Sequence, residues 1–123
     1  METASQTLGA LGEQLAERHL SWKGYKILLK NYDCQFGEVD LIAKHKGVLV
    51  FIEVKTRRSL EKGLPLESVN FHKRRQIVRV AQFYIKRYGI QHLACRFDAV
   101  SIFLPTAGEP VIDLVQDAFR EGE

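Results

Sequence analysis

The chain has 123 residues, 46% of them apolar and 27% charged, with a formal net charge of +3. That describes one domain spanning 1–123 with enough apolar side chains for a core. The longest apolar run, Val48 to Ile52, is far too short to cross a bilayer. Cys34 and Cys95 lack metal-finger spacing, and Met1–Gln6 has neither the basic segment nor the apolar core of a leader, so a reduced, cytoplasmic chain without membrane contact is expected.

Thr7 to Lys23 reads as a helix closed by Gly24. Its apolar stripe is Leu8, Leu11, Leu15 and Trp22, flanked by Gly12, Ala16 and Leu20. Gly9 and Gly12 are poor helix formers whose smallness suits close packing on a sheet. Glu13 sits at the shoulder of the stripe as an ordinary boundary residue. His19 falls inside the stripe and reads as a hydrogen-bonded core histidine. Residues 1–6 are expected to fray. Tyr25 to Leu29 is a short strand, and Asn31 to Phe36 shows no clear period.

Gly37 to Ala43 and Val48 to Arg57 form two strands around a turn at Lys46-Gly47. Three charges, Asp40, Glu53 and Lys55, interrupt otherwise apolar strands, a costly placement unless they are paired or bound to a metal. A two-residue turn pairs His45 with Val48, which sets Asp40 against Glu53 and Glu38 against Lys55. A four-residue loop keeps that register, whereas a three-residue loop would bring Asp40 opposite Ile52. Two carboxylates at cross-strand distance repel unless a cation lies between them, and oxygen donors favour Mg²⁺ or Mn²⁺. Taken alone, Glu53-x-Lys55 is more often a cross-strand ion pair on a wet sheet face. The apolar neighbours and the opposed aspartate are what point to a metal.

Arg57 to Glu67 reads as a mobile connection broken by Gly63 and Pro65. Asn70 is placed to cap a helix ending at Tyr88, with Gly89 beyond it and a buried stripe of Ile77, Val80, Ala81, Tyr84 and Tyr88. Between Arg57 and Arg96 ten basic and two acidic residues give +8, leaving −5 for the rest of the chain. Arg57 and the helical Lys73, Arg74, Arg75 and Arg79 are therefore candidate nucleic-acid contacts, although such runs commonly just solvate a helix face. Cys95 to Leu104 is a strand with Arg96 and Asp98 read as a surface pair. Val111 to Val115 is a last, edge strand, and 116–123 are expected to fray.

The segment from Gly37 to Ala43, followed by Phe51 to Arg57, resembles the YraN family of predicted endonucleases, within the PD-(D/E)XK nuclease superfamily and similar to archaeal Holliday junction resolvases. The likeness runs from about Gly9 to Val100. Val39 stands where the superfamily name has proline. The resemblance implies an α/β fold with a restriction-endonuclease-like core: a central mixed β-sheet flanked by helices, in the order αβββαββ. It implies Mg²⁺- or Mn²⁺-dependent cleavage of DNA, with branched DNA as the finer expectation. Asp40, Glu53 and the carbonyl of Val54 would hold the metal, and Lys55 would position water. Glu13 matches a first-helix glutamate beside the metal, and Lys73 a basic position suited to phosphate. A non-catalytic nucleic-acid-binding module and a protein-interaction domain with a structural charge cluster are the alternatives. A homodimer is left open.

Overall fold

The computed structural model describes the backbone of residues 4–59 and 70–122, and side chains from Thr7 onward. Its elements are α1 (Ala4–Trp22), β1 (Lys26–Cys34), β2 (Gly37–His45), β3 (Val48–Arg57), α2 (Phe71–Tyr88), β4 (Cys95–Phe103) and β5 (Val111–Phe119). The order is the expected αβββαββ. The five strands form one sheet in sequence order. β3 and β4 run parallel, joined through α2, and the other neighbours are antiparallel. This mixed sheet with its two helices is consistent with a restriction-endonuclease-like core.

A helix covers each face. Ala16 and Leu20 of α1 pack on Leu41, Val50, Ile52 and Val100. On the other face Ile77, Val80 and Tyr84 of α2 pack on Val39, Ile42 and Phe51. β3 is buried on both sides, which is why Val48 to Ile52 is continuously apolar rather than alternating. Asn70 caps α2 by accepting from the Lys73 N–H at 2.9 Å, and Gly89 closes it. Tyr88 is exposed, one turn beyond the end of the buried stripe.

The structure changes several expectations. α1 begins at Ala4, so residues 4–6 belong to the helix. The face it presents is Gly12, Ala16 and Leu20, whereas Leu11 is 40% and Trp22 is 81% exposed. Gly12 explains the rotation: a Cβ there would collide with Thr56 Oγ1 and come within 2.8 Å of Thr56 Cβ, so the helix lies closest to β3 at its smallest residue. Rotation also takes His19 out of the core. It is half-buried, with its ring 6.3 Å from that of Trp22, and burial and Lys23 lower its pKa. Gly9 has open space around it.

β1 runs through the stretch from Asn31 to Cys34 that shows no period, because it is an exposed edge strand with a bulge between Ile27 and Leu29. β5 likewise continues to Phe119, which is buried and stacked on Phe97 at 5.1 Å, so 116–119 are not frayed. A register shift and the left-handed Asp117 hide its alternation. Asp98 is fully buried rather than superficial. Arg96 Nε donates to its Oδ1 at 2.8 Å and the Tyr25 hydroxyl to its Oδ2 at 2.7 Å, while the Asp117 N–H reaches Oδ1 at 2.9 Å. Arg96 Nη2 also donates to His45 Nδ1 at 3.0 Å, and the His45 ring stacks on Tyr25 at 4.1 Å. Most of the connection expected over Arg57–Glu67 lies outside the described residues.

Gly12→Ala should destabilise the fold by about 1–3 kcal/mol, the cost of an overpacked contact. Gly9→Ala should be neutral or stabilising by up to about 1 kcal/mol through helix propensity. Thermal or urea melts of the two variants check the contrast; equal effects would mean that α1 does not approach β3 at Gly12.

Candidate active site

The site is built on the β2–β3 hairpin. Lys46 and Gly47 both have positive φ, at 52° and 79°, the signature of a two-residue turn whose twist matches the strands. The register follows from it: His45 pairs with Val48, Ala43 with Val50 and Leu41 with Ile52. Even-numbered residues of β3 therefore turn their N–H and C=O toward β2, and odd-numbered ones toward β4. The Leu49 N–H accordingly bonds Ala94 O, and the Leu104 N–H bonds Arg57 O, each at 2.8 Å.

The β2–β3 ladder stops at Leu41 and Ile52, although β2 stays paired with β1 through Val39, Glu38 and Gly37. β2 thus leaves β3 and follows β1, which opens a fork in the sheet. Val39 and Ile42 both bury on the α2 side and Leu41 on the α1 side, so strict alternation breaks at Asp40. Its carboxylate replaces the missing ladder partner: Asp40 Oδ2 accepts the Val54 N–H at 2.7 Å. The Val54 carbonyl, on the same side of the strand as its N–H, faces the same gap.

Glu53 meets Asp40 at the fork, close enough that each carboxyl shifts the other's titration. Glu53 is 8% exposed, and its Oε2 is buried without a hydrogen-bond partner. Lys73 of α2 has its Nζ 4.0 Å from that oxygen and donates to Gln76 Oε1 at 3.3 Å. From the α1 side comes Glu13. With its amide nitrogen turned to the carboxylates, Asn31 donates to Glu13 Oε1 at 2.7 Å and Glu38 Oε1 at 3.1 Å. A cleft of about 360 Å³ is lined by Glu13, Asn31, Glu38, Asp40, Lys55 and Arg57, among others. Arg57 Nε is buried there without a partner.

Crowded carboxylates with little water hold protons. Burial, then the Asp40 charge, raises the Glu53 pKa to about 8. Burial, then Asp40 and Glu38, raises Glu13 to about 7. Burial raises Asp40 too, against the Val54 N–H and Lys73, which favour its anion. Burial thus favours a proton on the Asp40–Glu53 pair, which titrates as a unit. A divalent cation can replace that proton. Among the described residues no three His, Cys, Asp or Glu side chains converge on one point. The donor set is two carboxylates and one carbonyl, with water for the remainder, which fits Mg²⁺, an ion that keeps several waters.

Of the residues expected from the sequence, Asp40, Glu53, Val54, Lys55, Glu13, Arg57 and Lys73 come together around the fork. Arg74, Arg75 and Arg79 line other depressions on α2, away from the carboxylate cleft. Arg74 lies 5.9 Å over the Phe119 ring and Arg75 lies 5.6 Å over the Phe71 ring. Asn31 and Gln76 were missed. A polar residue in a left-handed conformation (Asn31, φ 52°) opposite Asp40 has no sequence signal beyond its residue type.

The raised Glu53 pKa has a defined sign. The folded state binds a proton that the unfolded state releases near the ordinary carboxylate value, so this group's contribution is complete below pH 4.5 and is lost as pH rises to about 8. In EDTA, thermal stability should therefore fall from pH 5 toward pH 8 in the wild type, on the scale set by these shifts. Glu53→Gln should flatten that fall. A slope unchanged in Glu53→Gln would show that the proton sits elsewhere.

Comparisons with known proteins agree on one family. Residues 12–102 match the family described as "Uncharacterised protein family UPF0102". The chain is 50% identical over 99 residues to a UPF0102 protein of Caldanaerobacter subterraneus, covering 80% of this chain and 81% of that one. It is 42% identical over 105 residues to one from Dictyoglomus turgidum, with 85% and 89% covered. With one from Symbiobacterium thermophilum it shares 43% over 116 residues, with 94% and 98% covered. The chain whose sheet forks at Asp40 belongs to the UPF0102 family, the family also called YraN.

Proposed function

We propose that this protein is a metal-dependent DNA endonuclease acting at the fork between β2 and β3. The observation that carries the reading is the pair of adjacent carboxyl groups, half-buried Asp40 and buried Glu53, with a Glu53 oxygen that has no hydrogen-bond partner among the described residues and Lys55 lining the adjoining cleft. Buried carboxylates without a full set of donors are costly, and a bound cation removes that cost. Asp40, Glu53 and the Val54 carbonyl would hold Mg²⁺ or Mn²⁺. The ion, when bound, supplies positive charge that stabilises a phosphorane-like transition state and acidifies water.

The chain's own residues do the rest. Lys55 holds and orients the attacking water. Arg57, in the cleft, and Lys73, beside Glu53, contact phosphate oxygens; at 4.0 Å the Lys73–Glu53 pair is loose enough for the ammonium to turn to an incoming anion. Glu13, with a pKa near 7, is suited to exchange a proton with water at neutral pH.

Wild type should cleave DNA in Mg²⁺ or Mn²⁺ and not in EDTA, in a panel of duplex, single-stranded, flapped and branched substrates. Lys55→Ala should lower the single-turnover rate by about 10²–10⁴-fold with little change in affinity. Asp40→Asn and Glu53→Gln should also lose cleavage, and should lose most of the metal-induced rise in melting temperature. If Lys55→Ala binds poorly but cuts bound DNA at the normal rate, Lys55 is a phosphate anchor instead. Wild type that binds DNA but cuts none with either metal would replace this reading by that of a binding module using the same cleft.

A further inference from the structure

Beyond the carboxylates, α2 carries a second surface feature. Its outer face and the β1–β2 turn enclose two adjoining depressions of about 270 and 730 Å³, which share Phe36 and Arg79. Phe36 is 39% and Phe71 is 58% exposed, a large cost in water unless something covers the rings. Phe83 meets Phe36 edge-on at 5.9 Å, and Arg75 sits over Phe71. The charge is of one sign. Arg75, Arg79, Lys86 and Arg87 line the groove, and among the described residues no Asp or Glu does. None of the four is in an ion pair among the described residues.

We propose that this groove holds an unpaired stretch of nucleic acid and leads it to the carboxylate fork. The proposal rests on the nuclease reading for where the strand goes, though not for whether it binds. Ring faces are of use to unstacked bases, whereas a duplex offers the groove its phosphates alone. Arginines beside the rings supply both phosphate contacts and cation–π contacts. The groove's residues recur at helical spacing from His72 through Arg79 to Lys86, about 21 Å along α2, long enough for several nucleotides. Its first depression ends at Gln76, whose Oε1 accepts from Lys73 Nζ beside Glu53. The groove and the fork are therefore joined by a single hydrogen-bonded pair. A second copy is a poor occupant, because two such positive grooves repel. The substrate class that follows is DNA with a single-stranded segment: a flap, a splayed end or an opened branch.

The test is binding in EDTA, which needs no catalysis. A labelled oligothymidylate of about 20 nucleotides and a duplex of equal length are titrated against wild type, Phe71→Ala and the double variant Phe36→Ala/Phe71→Ala. The single-strand affinity should fall by about tenfold or more in the double variant, and the duplex affinity by less than about twofold. Arg79→Ala should weaken both and reduce the salt slope by roughly one contact. Phe71 is largely exposed, so its single variant keeps the fold and gives a smaller loss of the same kind. Unchanged single-strand binding in the double variant, or equal loss on both DNAs, overturns the proposal. So does a wild-type dimer that the double variant converts to monomer without loss of single-strand binding, which would assign the groove to a second copy. A wild type that binds single strands through the two phenylalanines but cuts no DNA supports the groove and removes the nuclease.

Discussion

One hydrogen bond organises the site: the Val54 N–H to Asp40 Oδ2, at 2.7 Å. It stands where a backbone ladder bond belongs. A buried N–H without a partner is costly, so the place where β2 departs from β3 needs an acceptor from somewhere. A short acidic side chain from the departing strand supplies it at close range. The carboxylate is thereby held half-buried beside Glu53, at the edge of the cleft. The raised pKa values of Glu53 and Glu13 follow from that placement.

Asp98 does the same thing elsewhere with the opposite outcome. It too accepts a backbone N–H, that of Asp117, at a break in strand pairing. There Arg96 and the Tyr25 hydroxyl complete the shell, and the charge is neutralised by neighbours of the same chain. At Asp40 the shell is left unfinished: among the described residues the neighbouring Glu53 oxygen has no hydrogen-bond donor, and the Lys73 ammonium stands 4.0 Å off. Two aspartates with similar structural tasks thus differ in whether the surrounding residues close them off. The closed one is a clamp and the open one is a candidate centre.

The hairpin was readable from the sequence because its logic is local. A two-residue turn with glycine fixes the register as far as Leu41 and Ile52, one pair short of the expected Asp40–Glu53 and Glu38–Lys55 pairs; a break in alternation at Asp40, with no sequence signal, is what sets it beside Glu53 and the Val54 N–H. The caps of α2 and its buried stripe through Tyr84 were readable for the same reason. What escaped was set by distant partners. Leu11 and Trp22 dominate the apolar count of α1, yet Gly12 governs which face meets β3, and small size leaves no hydrophobic signal. β1 and β5 are edge strands with bulges, so their period of two is broken. Arg96 and Asp98, two residues apart on one strand, gave no hint that Tyr25 and His45 would enclose them. Of the basic helix residues, only Lys73 faces the carboxylates, a distinction the charge count could not make.

The fork has a mechanical consequence. Asp40 travels with the β1–β2 ribbon, while Glu53, Val54 and Lys55 belong to β3, which is paired with β4 without interruption from Leu49 to Arg57. The two halves of the centre are thus mounted on separate arms, one the β3–β4 core and the other an edge ribbon that leaves it beyond Leu41 and rests on α2 through Val39, Tyr32 and Phe36. Their spacing depends on how far the ribbon leans outward, and its tip at Gln35 and Phe36 is the end of a lever. Pressure on that tip would widen or narrow the gap between Asp40 and Glu53 as jaws close when their handles are squeezed.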